Sequence, residues 1–219
     1  MSTSLDYEAA RQAMINSQLR PNRLIDERLI EAIDRVPREA FVPKELRGIA
    51  YVDEDLPLGE GRYMMEPMVL ARMLQDARIE ADDTVLMVGC TTGYGAAVAA
   101  ALAGTVIALE QDPEFVRRAT ETLAGLGIAN VAVVEGELAQ GIPDQGPFDV
   151  IILEGAVAEV PETLLDQLAE GGRLMTVLRE GGIGKLTIFT RVGGIGRRTI
   201  FDAATPVLPG FEKKKSFVF

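Results

Sequence analysis

Short apolar runs alternate with amphipathic stretches along the chain from residue 84 onwards. The runs have the length of strands buried on both faces, and the stretches between them repeat with helical spacing. The pattern predicts strands over 84–88, 106–109, 131–134, 150–153 and 173–177, and helices over 94–103, 113–125 and 161–169. Strands separated by helices indicate a parallel sheet covered on both faces, which is a three-layer α/β sandwich.

Two further strand-like runs, 185–192 and 198–203, flank the pair Gly193-Gly194. Paired glycines between two such runs are typical of a β-hairpin turn. We therefore expect the mostly parallel sheet to end in an antiparallel hairpin.

The first 77 residues carry a different pattern, in which helices surround a turn-rich segment. Residues 6–20 and 24–35 have helical spacing, and Asp26 is placed to cap the second helix. The segment 50–61 is rich in Asp, Pro and Gly, which predicts a loop. Pro67 suits the first turn of a further helix, which we expect to run to about residue 77.

Composition narrows the chemistry by exclusion. The 219 residues carry a net charge of −11, which argues against a nucleic-acid partner, and the run Lys213-Lys214-Lys215 is too short to form a basic face. The chain has no histidine, so the usual general base and the usual zinc ligand are missing, and we expect no metal site.

The single cysteine, Cys90, excludes an internal disulfide framework and suits a reducing compartment. The N-terminus is polar and shows no secretory pattern, so we expect a cytoplasmic protein. The uncharged stretch 84–109 is long enough to raise the question of a membrane span. Its glycines, threonines and alanines favour a buried strand-helix-strand unit instead, and no membrane partner is expected.

A glycine-bearing turn follows the first predicted strand and precedes a helix of small residues. Gly89 and Gly93 let the backbone of this turn approach a ligand closely. Glu110 ends the next strand, 21 residues after Gly89, and its two oxygens suit the vicinal diol of a ribose. Glu137 follows the third strand, where an acid can accept from an adenine amino group, and the segment 153–156 follows the fourth. Together these segments predict a site for a nucleotide-type cofactor at the carboxyl edge of the sheet.

Several motifs, in this order along the chain, resemble those of the protein-L-isoaspartate O-methyltransferase family. They cover an N-terminal signature, a cofactor loop and two later strand motifs, at residues 36–43, 50–61 with Pro67, 85–94, 147–151 and 167–174. The resemblance extends over about residues 10–205. The order of the motifs is more specific than any one of them.

The resemblance implies a Rossmann-like methyltransferase that acts in protein repair. Such an enzyme transfers a methyl group from S-adenosyl-L-methionine to the α-carboxylate of an L-isoaspartyl residue in a damaged protein or peptide. That carboxylate is ionised at pH 7 and needs no general base, which is compatible with a chain that has no histidine.

The resemblance also implies roles for individual residues. On the acceptor side it places Asp53 and also Met65, which stands at the position of a family serine. The implied cofactor-binding residues are Gly89, Cys90, Thr91, Gly93, Glu110, Gln111, Glu137, Leu138 and Glu154. We expect one methyltransferase domain over 1–219, in which a helical and substrate-loop region (1–77) precedes a cofactor-binding core (78–219).

Three positions depart from the family pattern. Met87 stands where the family has an acid, Thr91 where it has the middle glycine of the loop, and Met65 where it has the serine. A threonine at position 91 costs about 1–2 kcal/mol if that position requires a positive φ.

The departures leave two alternatives beside an active enzyme. One is a non-catalytic protein of the same fold with weakened cofactor binding. The other is a methyltransferase with a different acceptor, in which Arg62 and Tyr63 line a new pocket. A nicotinamide-dependent reductase ranks last, because the glycine spacing is wrong for a pyrophosphate.

Overall fold

A seven-stranded sheet organises the computed structural model, which describes residues 6–213. Lys214 and Lys215 of the lysine run therefore lie outside the described residues. The helices are α1 (Tyr7–Met14), α2 (Glu27–Arg35), α3 (Pro67–Ala77), α4 (Tyr94–Ala100), α5 (Pro113–Gly125) and α6 (Glu162–Leu165). The strands are β1 (Leu56–Gly59), β2 (Arg62–Met64), β3 (Thr84–Val88), β4 (Thr105–Glu110), β5 (Val131–Glu135), β6 (Phe148–Val157), β7 (Leu168–Glu180), β8 (Ile183–Arg191) and β9 (Ile195–Asp202).

The sheet has the strand order β5-β4-β3-β6-β7-β8-β9. The strands from β5 to β7 are parallel, and β8 and β9 are antiparallel additions, which confirms the predicted fold class. In the central register, Met87 of β3 lies opposite Ala108 of β4 and Ile152 of β6. The order of connection reverses around β3, and the carboxyl ends of the strands at such a reversal form a crevice.

Alternate residues of β3 pack into different apolar clusters, as expected for a strand covered on both faces. Val85 and Met87 belong to the cluster that contains α3 and α4 residues, whereas Leu86 and Val88 belong to a second cluster, with Leu164 of α6. The side chains of these four residues are fully buried. Met87 is therefore part of the core, where a methionine packs without a polar partner.

The helix expected over 161–169 is wrong in its second half. Helix α6 ends at Leu165, and β7 already begins at Leu168. The side chain of Gln167 explains the early end, because it accepts from the Ile142 N–H at 2.7 Å and donates to the Gln140 carbonyl at 2.7 Å. These bonds fix the chain in an extended path, and the Phe148 N–H donates to the Gln167 carbonyl at 2.7 Å.

The N-terminal region combines confirmed helices with one missed hairpin. Asp26 caps α2, accepting from the N–H groups of Arg28 and Leu29, as expected. After α1 the helical segment widens into a π turn at Ile15–Leu19 and then tightens into a 3-10 turn at Arg20–Asn22. The segment expected to be a loop instead contains β1, which pairs antiparallel with β2. Its inward and outward side chains alternate, a pattern that Pro57 and the glycines obscure in the sequence.

The predicted C-terminal hairpin is confirmed as β8 and β9, with Gly193 in the turn at φ 61°. The uncharged stretch 84–109 forms β3, the glycine turn, α4 and most of β4. Across residues 6–213, no helix has both the length and the apolar character needed to cross a bilayer.

Candidate cofactor site

The turn between β3 and α4 has the backbone geometry that the sequence predicts. Gly89 and Gly93 adopt φ values of 78° and 92°, which favour glycine. The N–H of Gly93 closes the turn on the Cys90 carbonyl at 2.8 Å, and the N–H of Gly89 bonds to the Leu109 carbonyl at 2.9 Å. A Cβ on Gly93 would approach Ala119 of α5 to 3.3 Å, so the turn also packs closely against that helix.

Thr91 occupies the strained position of this turn. Its φ is 49°, in the left-handed region that a β-branched residue rarely adopts. Position 91 therefore has a positive φ, and a threonine there lowers the stability of the folded state by about 1–2 kcal/mol. The side chain is buried, and the Thr91 N–H donates to Oε2 of Glu110 at 2.9 Å. The strained conformation thus aims a backbone donor at that carboxylate.

Glu110 lies at the end of β4, beside the glycine turn, with no exposed surface. Its Oε1 accepts from the N–H groups of Gln111 at 2.8 Å and Asp112 at 3.1 Å. The sequence places this carboxylate correctly at the carboxyl edge of the sheet. It also predicts that both oxygens face a ribose, and the structure instead pairs them with another side chain.

That partner is Arg62 of β2, which sequence reasoning missed. Its guanidinium meets Glu110 with two parallel bonds, Nη1 to Oε1 and Nη2 to Oε2, the second at 2.8 Å. Nη2 also donates to the Gly89 carbonyl at 3.2 Å. Arg62 is 4% exposed, and with Tyr63 it lines only a small space beside Glu154 and Leu208. Tyr63, its neighbour, points the other way and is 37% exposed.

Glu154, in the second half of β6, places a second buried carboxyl group at the carboxyl edge of the sheet. Both of its carboxyl oxygens lie within 2.8 Å of the position that a Cβ on Gly95 would take. Burial, and then the negative charge of Glu110, raise the pKa of Glu154 to about 8, while Arg62 and Arg38 act in the opposite direction. Among the described residues, Oε1 of Glu154 has no hydrogen-bond partner. At pH 7 this carboxyl is therefore mainly protonated.

Cys90 lies next to this group and is fully buried. Burial, followed by the charges of Glu154 and Glu110, raises the pKa of its thiol well above the usual value. The thiol stays protonated and behaves as a small apolar side chain.

The other expected cofactor residues lie along the same edge with different exposure. Gln111 and Glu137 are exposed, and Leu138 is buried in the second apolar cluster. Glu137 precedes a 3-10 turn at Leu138–Gln140. The structure thus brings Glu110, Glu154, Cys90 and the glycine turn together, while Glu137 stands apart on the surface.

On the expected acceptor side, the side chain of Met65 is 2% exposed and belongs to the core. Asp53 is exposed. Asp55 accepts from the Glu66 N–H at 2.9 Å and from Thr205 at 3.2 Å. Burial, followed by the charges of Asp55 and Asp53, raises the pKa of Glu66 to about 7. The Glu66 carboxyl therefore titrates near neutral pH.

Arg38 is a second buried arginine, and no pattern in the sequence marks it. It is fully buried, and it donates to the carbonyls of Ala50 and Met65, both at 2.7 Å. Its guanidinium also stacks 4.7 Å from the ring centre of Tyr94 in α4. Arg38 therefore fixes the segment that carries β1 and β2 against the helix that follows the glycine turn.

The adenosyl cofactor that the resemblance implies does not fit the site in this conformation. Leu208 covers the turn, because its side chain lies 2.8 Å from the position of a Cβ on Gly89. The space left between Arg62, Tyr63, Glu154 and Leu208 is about 10 Å³, about the volume needed to hold one water molecule.

Comparisons with known proteins agree on one family. The profile of the family "Protein-L-isoaspartate(D-aspartate) O-methyltransferase (PCMT)" matches residues 9–196. A protein-L-isoaspartate O-methyltransferase from Methanoculleus marisnigri is 41% identical over 165 residues, which cover 75% of each chain. A protein-L-isoaspartate O-methyltransferase 2 from Anaeromyxobacter is 42% identical over 77% of this chain and 69% of its own.

Solved structures show the same fold. A protein-L-isoaspartate O-methyltransferase superimposes with a TM-score of 0.80 at 24% identity, covering 93% of this chain and 66% of that chain. A Plasmodium falciparum protein, named as a beta-aspartate methyltransferase and solved with S-adenosyl-L-homocysteine, gives 0.78 at 21% identity, covering 96% of this chain and all of that one. With the profile match and the two curated relatives, these findings show that the chain belongs to the protein-L-isoaspartate(D-aspartate) O-methyltransferase family.

Proposed function

We propose that this chain transfers a methyl group from S-adenosyl-L-methionine to the carboxylate of L-isoaspartyl residues in damaged proteins and peptides. One observation carries the proposal beyond family membership: Glu110 ends β4 directly beside the Gly89–Gly93 turn. That is the place where a fold of this kind presents a carboxylate to a ribose.

The proposal assigns the cofactor edge to residues that the fold brings together. Gly89 and Gly93 give the turn its shape, Thr91 directs its N–H into the site, and Glu110 is the ribose ligand once its carboxylate is free. Cys90 and Glu154 form the buried wall, and Gln111, Glu137 and Leu138 form the rim toward the base.

The acceptor side is assigned to the segment between β1 and α3. The side chain of Met65 packs in the core, so this position contributes backbone rather than a hydroxyl. Asp53 is exposed at the edge of that segment. The acceptor is itself an ionised carboxylate, so a chain without histidine can carry out the reaction without a general base. The proposal also divides the chain into a substrate region, 1–77, and a cofactor-binding region, 78–219. It includes a cytoplasmic location, which the single buried cysteine supports.

Methyl transfer to a defined peptide tests this function. The full chain is incubated with S-adenosyl-L-methionine carrying a radiolabelled methyl group and a peptide with one L-isoaspartyl residue. We expect base-labile label on this peptide and none on the matched peptide with normal aspartate. Equal labelling of both peptides, or background labelling of both at saturating cofactor, would contradict the proposal.

The variant Glu110→Gln extends the test to the site. It keeps the side-chain shape but replaces one acceptor oxygen with a donor. We expect a higher KM for the cofactor in Arg62→Met/Glu110→Gln than in Arg62→Met, because Arg62 no longer competes for residue 110 in either protein, while Glu121→Gln on the exposed face of α5 leaves the wild-type KM unchanged. An equal KM in the two proteins that carry Arg62→Met would remove Glu110 from the cofactor site.

A further inference from the structure

Arg62 saturates the carboxylate that the proposed function reserves for a ribose. Glu110 accepts five hydrogen bonds, two from Arg62 and three from backbone N–H groups. A carboxylate has about four lone-pair positions. No acceptor position remains for the two hydroxyls of a ribose unless a present donor leaves.

Of these donors, only Arg62 is able to leave without a change in the backbone. The N–H groups of Thr91, Gln111 and Asp112 belong to the turn after β3 and to the connection between β4 and α5. Arg62 instead reaches in from the β1–β2 hairpin, on a long side chain. The tip of that hairpin is open, because a Cβ on Gly59 or Gly61 would meet no atom within 4 Å.

The C-terminal segment closes the same space from the other side. Val207 forms a parallel bridge with Ala156, and the Leu208 N–H donates to the Ala156 carbonyl at 2.8 Å. These bonds hold the Leu208 side chain over both Gly89 and Gly155. Arg62 and Leu208 thus fill the crevice where an adenosine would lie. Arg62 occupies its polar part, beside Glu110, and Leu208 occupies its apolar part.

We propose that Arg62 is an internal occupant of the ribose position, so that an adenosyl ligand binds only after the Arg62–Glu110 ion pair opens. This inference rests on the proposed function, because it takes Glu110 as the ribose ligand. The ion pair lowers the apparent affinity for the ligand by the fraction of molecules in which it is open. It also links the hairpin to the cofactor edge, since the ligand and the closed hairpin compete for one carboxylate.

Replacing Arg62 tests the inference by calorimetry with S-adenosyl-L-homocysteine. Arg62→Met keeps an apolar stem and removes both guanidinium bonds. We expect it to bind at least tenfold more tightly than wild type, which corresponds to about 1.4 kcal/mol. Arg197→Met is the matched control, because it breaks an exposed arginine–glutamate pair on β9, and its affinity should equal that of wild type. Equal or weaker binding by Arg62→Met would overturn the inference.

A second variant and a structure keep the test decisive if Arg62→Met does not fold. Arg62→Lys retains the charge but cannot bond both oxygens in the parallel geometry of a guanidinium. We expect it to bind about threefold or more tightly than wild type, and affinity no greater than that of wild type would count against the inference. A crystal of the wild type with bound S-adenosyl-L-homocysteine should show Arg62 away from Glu110. A bound ligand with the ion pair intact would refute the proposal.

Peptide methylation separates this inference from the proposed function. If wild type methylates the isoaspartyl peptide and Arg62→Met binds the ligand no more tightly, the inference fails and the function stands. If Arg62→Met binds more tightly but neither protein methylates the peptide, the function fails and the inference stands. If no variant binds the ligand, both fail.

Discussion

Replacing Glu154 with glutamine should make the protein more stable at neutral and alkaline pH. Glu154 is buried beside Gly95, and the pKa of its carboxyl is raised from the ordinary 4.5 to about 8. Between these values the unfolded chain releases the proton and the folded chain retains it. The folded state therefore loses stability as the pH rises from about 4.5 to about 8, and the loss is constant above that.

The size of the effect follows from the interval between the two pKa values. Each pH unit corresponds to 1.36 kcal/mol, so the wild type loses about 3 kcal/mol by pH 7 and about 5 kcal/mol by pH 8 through this one group. Glutamine has nearly the same shape and does not titrate. Glu154→Gln should therefore match the wild type near pH 4.5 and exceed its unfolding free energy by a few kcal/mol at pH 8.

Urea denaturation followed by circular dichroism at pH 5, 6, 7, 8 and 9 measures this difference. Glu159→Gln, on the exposed surface after β6, controls for the removal of one negative charge. The difference between Glu154→Gln and wild type should rise with pH and level off above about 8. A difference that is flat with pH, or that falls as the pH rises, would refute the reasoning about this buried carboxyl.

Two further predictions concern the arginine and the threonine that hold the site in shape. Arg38→Met should lower the unfolding free energy by about 2–4 kcal/mol, because the carbonyls of Ala50 and Met65 lose their donors. Arg35→Met, in an exposed i,i+4 pair, should cost less than about 0.5 kcal/mol in the same urea titration, and equal costs would contradict the prediction. Thr91→Gly should be about 1 kcal/mol more stable than Thr91→Ala, because alanine keeps the Cβ that is strained at a φ of 49°. Thermal unfolding of the two variants decides this, and a more stable Thr91→Ala would show that the turn is not strained.

The elements that the sequence located well are those whose signals are local. Helix α5 has the predicted bounds because Asp112 caps its start, Pro113 fits its first turn and Gly125 ends it. The placement of Glu110 at the end of a strand also depends on a local signal, because the run of apolar residues that forms β4 ends there. The glycine turn followed from the spacing of Gly89 and Gly93.

The parts that escaped prediction depend on contacts between distant residues. Arg62 and Glu110 are 48 positions apart, and nothing near either residue indicates the pairing. Leu208 reaches the turn through a single bridge to β6, which has no pattern in the sequence. The end of α6 depended on bonds from Gln167 to a segment about 25 residues earlier.

Arg38 has a consequence for any opening of the β1–β2 hairpin. By bonding Ala50 and Met65 at once, it ties both ends of the intervening segment to one fixed point. A segment whose ends are already joined loses little further chain entropy when its tip closes and gains little when its tip opens. Opening of the tip then leaves the base in place, so amide hydrogens near Gly59 and Gly61 should exchange with solvent by local opening, while those at the base exchange only when the surrounding core unfolds.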